Sequence, residues 1–408
     1  MPGRLHAITV ENYRCFRDHF RLELRPLTLV YGWNNAGKST AVRLIRLLGD
    51  SVEDSARAPL DPLGDITYRD LVWRPAVTKP GPLRFGLEWS EGALRQATWR
   101  LDYDREVGRM YVRELDLLGA SGSTMKWRAN RAERGSYELQ SSNENSPESV
   151  KLSFSGLIPT DLLSALPLIQ QLRALRGNCR WLSGDRVKPP RSIKEGKPPP
   201  RELAEDGAGA TEMLLSDPAL LAAVAPWYAS LGRILNSTVQ EASARLQLSP
   251  RDAGFEVDLV DTGSGMGQVL PVLTALAMAQ VDARAGQDVL LAIEEPESQL
   301  HPNAQRALGA WLCDAAALDP APHLVLETHS RILILAVQVA IATGRLAPKR
   351  VAVYWLDQRT DGSTSWELVN FDRAGRPGAG WPRDIFADEL ELADILASTQ
   401  FAERVWGD

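Results

Sequence analysis

The strongest constraint in this sequence is a glycine-rich octapeptide that lies between a strand-like run and a helix-like run. Residues 32–39 read Gly-Trp-Asn-Asn-Ala-Gly-Lys-Ser, which fits the pattern G-x-x-x-x-G-K-[ST]. The apolar run 27–30 predicts a buried strand before it, and the apolar residues across 42–48 recur at helical spacing after it. A strand, loop and helix in this order direct several backbone N–H groups at one phosphate. The octapeptide therefore predicts an α/β fold that binds a nucleotide.

The side chains of this loop have expected roles in binding ATP and Mg²⁺. Lys38 is expected to reach the β- and γ-phosphates, and the Ser39 hydroxyl is expected to ligate Mg²⁺. The alternative is a chance glycine turn before a helix, which would not require the flanking strand. The residues assigned to the nucleotide in this part of the chain are Arg14, Gly32, Asn34, Asn35, Ala36, Gly37, Lys38, Ser39 and Thr40.

Two adjacent acids follow a second strand-like run. Residues 290–293 are all apolar and lead directly into Glu294 and Glu295. In a site of this kind, one carboxylate holds the Mg²⁺ shell and another polarises the attacking water. We therefore assign Glu294 to the metal and Glu295 to catalysis. The alternative is an acidic turn that only solvates the end of the strand.

Two further segments extend the pattern. His329 follows the strand-like run 324–326 and is expected to hydrogen-bond the γ-phosphate, although a lone histidine more often has a surface or packing role. The glycine-rich segment 263–268 precedes an apolar helix and predicts a second anion-binding loop, with a flexible loop before a helix as the alternative. We assign His329 to catalysis. The residues of the second loop assigned to the nucleotide are Gly263, Ser264, Gly265 and Gln268.

These four segments, in this order, resemble the ABC-type ATPases of the RecF, SMC and OLD group. The openings Ile-Thr-Val-Glu-Asn-Tyr-Arg-Cys-Phe at 8–16 and Leu-Thr-Leu-Val-Tyr-Gly at 27–32 resemble the N-terminal strands of that group. By this resemblance, 263–268 takes the place of the signature loop, 298–302 that of the D-loop, and His329 that of the switch histidine. The resemblance implies hydrolysis of ATP and a head-to-tail homodimer, because the signature loop of one such head completes the nucleotide site of another.

The sequence departs from that group in three places. Glu294 stands where the group often has Asp, although OLD-like members also read Glu-Glu-Pro. No glutamine occurs at 40–94, so a Q-loop has no clear equivalent, and 68–72 is a candidate substitute. OLD nucleases carry a C-terminal metal-dependent nuclease domain, whereas the residues that follow His329 contain no D-x-D pair. We therefore expect a stand-alone ATPase without a nuclease domain.

The order of predicted elements favours an α/β head with a mixed or mainly parallel sheet and flanking helices. Two-residue periodicity across 83–103 predicts an antiparallel β subdomain. We expect an ATPase lobe with this subdomain at 1–155 and a short helical insertion with a Pro/Lys/Arg-rich loop at 156–250, including a helical block across 211–248. A second ATPase lobe is expected at 251–408, ending in an amphipathic helix around 384–396.

The charge distribution favours nucleic-acid binding at one segment only, residues 173–201. The formal net charge of -6 argues against a cationic protein surface, but nine basic residues lie within 173–201. A solvated loop broken by prolines is the alternative to a DNA contact. These residues are Arg173, Arg176, Arg180, Arg186, Lys188, Arg191, Lys194, Lys197 and Arg201.

The leading functional hypothesis is an ATPase that dimerises on ATP and gates a separately encoded effector protein in prokaryotic anti-phage defence. The rival is a DNA-binding clamp ATPase for recombination or repair. A transporter subunit is disfavoured because the sequence lacks a Leu-Ser-Gly-Gly-Gln loop. The longest apolar runs fall short of the roughly 20 residues that cross a membrane. Together with three scattered cysteines, this favours a cytoplasmic protein without a membrane partner.

Overall fold

The computed structural model describes residues 3–53, 59–60, 67–73, 81–106, 108–130, 135–141, 148–161, 165–194, 198–240, 242–252 and 254–382. Within them, a six-stranded sheet carries the glycine-rich octapeptide. Neighbouring strands run parallel, except that the last is antiparallel to its neighbour. In spatial order the strands are β12 (Cys179–Leu182), β17 (Leu290–Glu294), β18 (His323–Thr328), β3 (Leu27–Gly32), β19 (Val351–Gln358) and β20 (Thr364–Val369).

An eight-stranded antiparallel sheet forms the predicted β subdomain. Alternate residues such as Phe85, Leu87, Trp99 and Leu101 are fully buried, as the two-residue periodicity predicts. In spatial order its strands are β2 (Phe20–Glu23), β1 (Leu5–Glu11), β4 (Leu83–Trp89), β5 (Leu94–Asp104), β6 (Arg109–Gly119), β7 (Thr124–Ala129), β8 (Ser136–Ser141) and β9 (Glu148–Lys151).

Helices cover both faces of the six-stranded sheet. One core unites α2 (Leu44–Val52) with the antiparallel sheet, and the other unites α8 (Leu270–Arg284), α9 (Pro302–Ala317) and α10 (Arg331–Ala342) with the opposite face. The expected α/β architecture, with a mainly parallel sheet, flanking helices and an antiparallel β subdomain, is confirmed. The helices are α1 (Lys38–Val42), α2 (Leu44–Val52), α3 (Tyr68–Leu71), α4 (Leu166–Arg173), α5 (Ala210–Ser216), α6 (Pro218–Ser230), α7 (Ser264–Gln268), α8 (Leu270–Arg284), α9 (Pro302–Ala317) and α10 (Arg331–Ala342).

The helical block predicted across 211–248 is wrong in its second half. Helix α5 ends at Ser216 and α6 ends at Ser230, and a β-hairpin follows. Its β-branched residues favour a strand, and Leu235, Leu246 and Leu248 are buried at alternating positions. The remaining strands are β10 (Phe154–Ser155), β11 (Ile158–Pro159), β13 (Ile193–Lys194), β14 (Arg233–Gln240), β15 (Ser243–Pro250) and β16 (Val257–Asp258).

The helical stretch 264–284 is long and apolar enough to cross a membrane by length and composition alone. However, 67% of its apolar window is buried inside the protein, and α8 contributes to the core described above. This stretch is therefore a core helix. The predicted C-terminal helix around 384–396 lies outside the described residues.

Candidate nucleotide site

The conformation of the nucleotide-binding loop, residues 32–39, requires glycine at two positions, because a side chain there would overlap neighbouring atoms. A Cβ atom on Gly32 would overlap the carbonyl oxygen of Leu356 on β19. Gly37 has a φ of 95°, and a Cβ atom there would overlap the Cys15 Sγ atom. Such a positive φ favours glycine. The loop therefore turns sharply between β3 and α1, as the octapeptide predicts.

A cleft of about 370 Å³ lies beside this loop. The Lys38 ammonium donates a hydrogen bond of 2.7 Å to the Trp33 carbonyl oxygen, which holds the side chain within the loop. Burial lowers the pKa of Lys38, while the charges of Glu327 and Glu295 oppose this shift. The cleft is lined by Arg14, Cys15, Asn34, Asn35, Gly37, Lys38, Ser39, Thr40, Glu327 and His329.

Glu294 and Glu327 lie side by side because β17 and β18 pair in a register that aligns them. Both Glu294 oxygens are already engaged. Arg43 donates two hydrogen bonds to them, at 2.6 Å and 2.9 Å, and the Trp181 indole N–H donates a third at 3.1 Å. The Arg43 guanidinium also lies 5.5 Å from the centre of the Trp181 ring. Glu294, assigned to the metal from the sequence, is thus held in a two-pronged ion pair.

Glu327 was not assigned any role from the sequence, yet it contacts the loop directly. The Ser39 hydroxyl donates a hydrogen bond of 2.9 Å to its Oε1 atom. Its Oε2 atom is buried and has no hydrogen-bond partner within the described part of the chain. Burial raises the pKa of Glu327 to about 7, reinforced by the neighbouring Glu294 charge and opposed by the Ser39 hydrogen bond.

Glu295 has a constrained backbone and a half-exposed carboxylate. Its φ is 42°, an uncommon value for a residue with a side chain. The Glu295 N–H donates to the Glu327 carbonyl oxygen at 3.0 Å, and the Glu295 carbonyl oxygen accepts from the buried Arg186 guanidinium at 2.7 Å. These two bonds fix the backbone. The Glu295 Oε1 atom lies 3.9 Å from His329 Nε2.

His329 is held by a buried acid that the sequence analysis also missed. One Glu297 oxygen accepts hydrogen bonds from the Thr328 hydroxyl at 2.6 Å, the His329 N–H at 2.9 Å and the Ser330 N–H at 3.1 Å. Burial raises the pKa of Glu297. Burial also lowers the pKa of His329, as does the charge on Lys38, so the neutral imidazole is favoured.

The oxygen atoms at this edge of the sheet suit Mg²⁺, which prefers hydroxyl and carboxylate ligands. Ser39 offers a hydroxyl, and Glu327 offers a buried oxygen without a partner among the described residues. Ligand atoms of Glu295, Glu327 and His329 lie within 4.8 Å of one another. The residues present therefore fit the ion that accompanies ATP.

Two family models match this chain. The model described as "AAA ATPase domain" matches residues 4–67, and the model described as "AAA domain, putative AbiEii toxin, Type IV TA system" matches residues 229–336. The chain is also 25% identical over 332 residues to an OLD nuclease of Thermus scotoductus. The chain therefore has a P-loop ATPase domain of the AAA/ABC type, which is related to that of the OLD nuclease. The two matches include the nucleotide-binding loop at one end and Glu294 to His329 at the other.

The match to the OLD nuclease covers 80% of this chain but only 59% of the nuclease. Among solved structures, the ATPase domain is similar to "SmcHead bound to the C-winged helix domain of ScpA", at 10% identity and a TM-score of 0.48, over 91% of this chain and 99% of that one. It is also similar to an SMC head domain from Thermotoga maritima, at 11% identity and a TM-score of 0.43, over 89% and 98%.

The second glycine-rich loop of the ATPase domain, residues 263–268, is called the signature-like loop here. It does not contribute to the lining of the nucleotide cleft within the described part of the chain. Gly263 and Ser264 are exposed at the start of α7. A Cβ atom on Gly265 would overlap the Gln299 carbonyl oxygen, so this glycine is required by packing rather than by a turn. The structure thus separates this loop from the other predicted site residues.

The basic stretch 173–201 does not form a continuous cationic face. Arg180 pairs with Asp282, and Arg191 pairs with Asp261. Arg186 is buried and donates to backbone carbonyl oxygens, including that of Gln268 in the signature-like loop. The exposed cations of this stretch include Lys188, Lys194 and Arg201, and Lys197 lies outside the described residues.

Proposed function

We propose that this chain binds ATP with Mg²⁺ in the cleft beside the nucleotide-binding loop and hydrolyses it. The observation that carries the proposal is the convergence of Lys38 and Ser39 with Glu295 and His329, which come from opposite ends of the chain. Each of these groups has a role in phosphoryl transfer to water. The family matches described above support the same reaction.

The reaction follows from the positions of these side chains. The Lys38 ammonium neutralises phosphate charge, and the carboxylate of Glu295, with 46% of its side chain exposed, polarises the attacking water. The neutral His329 imidazole offers an N–H to the γ-phosphate, and Glu297 fixes its backbone. Bound Mg²⁺ supplies positive charge that stabilises the phosphate oxygens. The Ser39 hydroxyl would be a ligand for this ion.

Two copies of the chain would complete each site. The signature-like loop is exposed and lies outside the nucleotide cleft of its own chain. A head-to-tail dimer would place Ser264 of one copy against the ATP bound by Lys38 of the other. ATP bound only by the dimer stabilises that dimer, and hydrolysis releases it.

The ATP cycle would gate a separately encoded effector in cytoplasmic anti-phage defence. Two similarities support this role: one matched family model is described as "AAA domain, putative AbiEii toxin, Type IV TA system", and the curated relative is an OLD nuclease. The ion pairs of Arg180 and Arg191 make a DNA clamp the weaker candidate. Salt-sensitive binding of the purified chain to duplex DNA would favour that clamp instead.

Glu295→Gln tests the proposal. Loss of the carboxylate should lower ATP turnover by about 100- to 10,000-fold, because general-base catalysis contributes this much. ATP binding should persist, and size-exclusion chromatography with light scattering should show a dimer that does not dissociate. Unchanged phosphate release would refute the role of Glu295, and a variant that stays monomeric with saturating ATP would refute the dimer.

A further inference from the structure

Two carboxylates, Glu294 and Glu327, lie at aligned positions on neighbouring strands, and they are bonded very differently. Glu294 receives hydrogen bonds from both prongs of the Arg43 guanidinium and from the Trp181 indole. Arg43 is itself fixed by packing over the Trp181 ring. To bind the metal ion, Glu294 would first have to break its two hydrogen bonds with the Arg43 guanidinium. Its geometry instead suits an anchor for the helix that follows the loop.

Glu327 has the opposite arrangement. One oxygen accepts a hydrogen bond from the Ser39 hydroxyl, which is the expected Mg²⁺ ligand. The other oxygen is buried without a partner in the described residues, and the whole residue is only 4% exposed. A buried oxygen of this kind destabilises the folded protein unless something binds it. It lines the same cleft as Lys38.

We propose that Glu327, together with Ser39, holds the Mg²⁺ of bound ATP, and that Glu294 anchors Arg43 instead. This inference rests on the proposed function, because it names a further metal-binding residue for the same reaction. The aligned register of β17 and β18 allows this division of roles, since it delivers both acids to one edge of the sheet. Glu327, two residues before His329, then has the metal-binding role that the sequence analysis assigned to Glu294.

The test compares two matched amide substitutions on neighbouring strands, Glu327→Gln and Glu294→Gln. The affinity of a fluorescent ATP analogue is measured by titration in EDTA and over a range of Mg²⁺ concentrations. Glu327→Gln should raise the half-saturating Mg²⁺ concentration about 10- to 100-fold, as loss of a metal-supporting group typically does. Its affinity for the analogue in EDTA should change by less than about threefold. Glu294→Gln should retain the Mg²⁺ response.

Thermal unfolding without nucleotide separates a metal role from a structural one. Glu327→Gln should keep or raise the melting temperature, because it removes a buried charge without a full set of partners. Glu294→Gln should lower the melting temperature, because Arg43 loses its charged partner. Glu327→Asp serves as a second variant, and its Mg²⁺ response should lie between those of the wild type and Glu327→Gln.

Three results would overturn the inference: an unchanged Mg²⁺ response in Glu327→Gln, loss of that response in Glu294→Gln instead, or a lower melting temperature in Glu327→Gln alone. These failures are distinct from failure of the proposed function. If the wild-type chain binds no nucleotide with Mg²⁺, the proposed function fails. If the wild type shows Mg²⁺-dependent binding and Glu327→Gln matches it, only the role of Glu327 fails.

Discussion

The nucleotide-binding loop and the signature-like loop both place glycines before a helix, yet their glycines have different structural reasons. Gly37 adopts a φ of 95° to make a sharp turn, and the cleft beside it is lined by Lys38 and Glu327. Gly263 has an ordinary φ of -53°, and Gly265 is required by contact with Gln299. The first loop lines a cleft, whereas the second begins with exposed residues outside that cleft. Glycine content alone therefore does not define a complete phosphate site.

Among the substitutions that test this difference between the two loops, Lys38→Ala should have the largest effect. Removing the ammonium should weaken ATP binding by roughly 100-fold, because a hydrogen bond to a charged group contributes about 1.5–3 kcal/mol. Isothermal titration calorimetry measures this loss. Lys188→Ala, a change at an exposed lysine outside the cleft, is the control and should bind ATP normally. Equal affinities for the two variants would mean that the cleft is not the ATP site.

Ser264→Arg should separate dimerisation from binding. A large side chain on the exposed loop should abolish the ATP-dependent dimer and lower turnover by about 10- to 100-fold, through a clash with the second copy. ATP affinity at low protein concentration should change by less than about twofold, because the loop is outside the cleft. Ser237→Arg, at an exposed position on β14, is the matched control. Weaker ATP binding by monomeric Ser264→Arg would contradict the separation of the two loops.

Gly37→Ala and Gly263→Ala should show the smallest effects and sharpen the same contrast. Gly37→Ala should lower the free energy of unfolding by about 1–3 kcal/mol, because alanine is strained at that φ and its methyl group meets Cys15. Gly263→Ala should change it by less than about 0.5 kcal/mol, since open space surrounds that position among the described residues. Urea unfolding measures both. Equal losses would show that the signature-like loop is also a strained turn.

The parts of the candidate site that can be proposed from the sequence are those encoded by contiguous residues. The octapeptide, the acids after β17 and His329 each combine a recognisable strand or helix with a reactive side chain. Glu327 precedes His329 by two residues at a strand end, which was an available signal. Its contact with Ser39, however, depends on the pairing of β18 with β3. Sequence spacing does not encode such a register.

The fold was predictable to a similar degree. The parallel sheet and the antiparallel subdomain follow from apolar runs and from two-residue alternation. The hairpin β14–β15 was mistaken for helix because short apolar runs fit both periods. The ion pair between Arg43 and Glu294 joins residues that are far apart in the sequence, and no local sequence pattern predicts it.

The central position of β3 also has a consequence for the order of folding. This early strand lies between β18 and β19, which come from much later in the sequence. Its hydrogen-bonding partners on both edges are therefore missing until residues 323–358 have been synthesised. The apolar residues of β3 therefore stay without their packing partners until the later strands have left the ribosome. The cleft beside residues 32–39 therefore cannot assemble before these later strands have been synthesised.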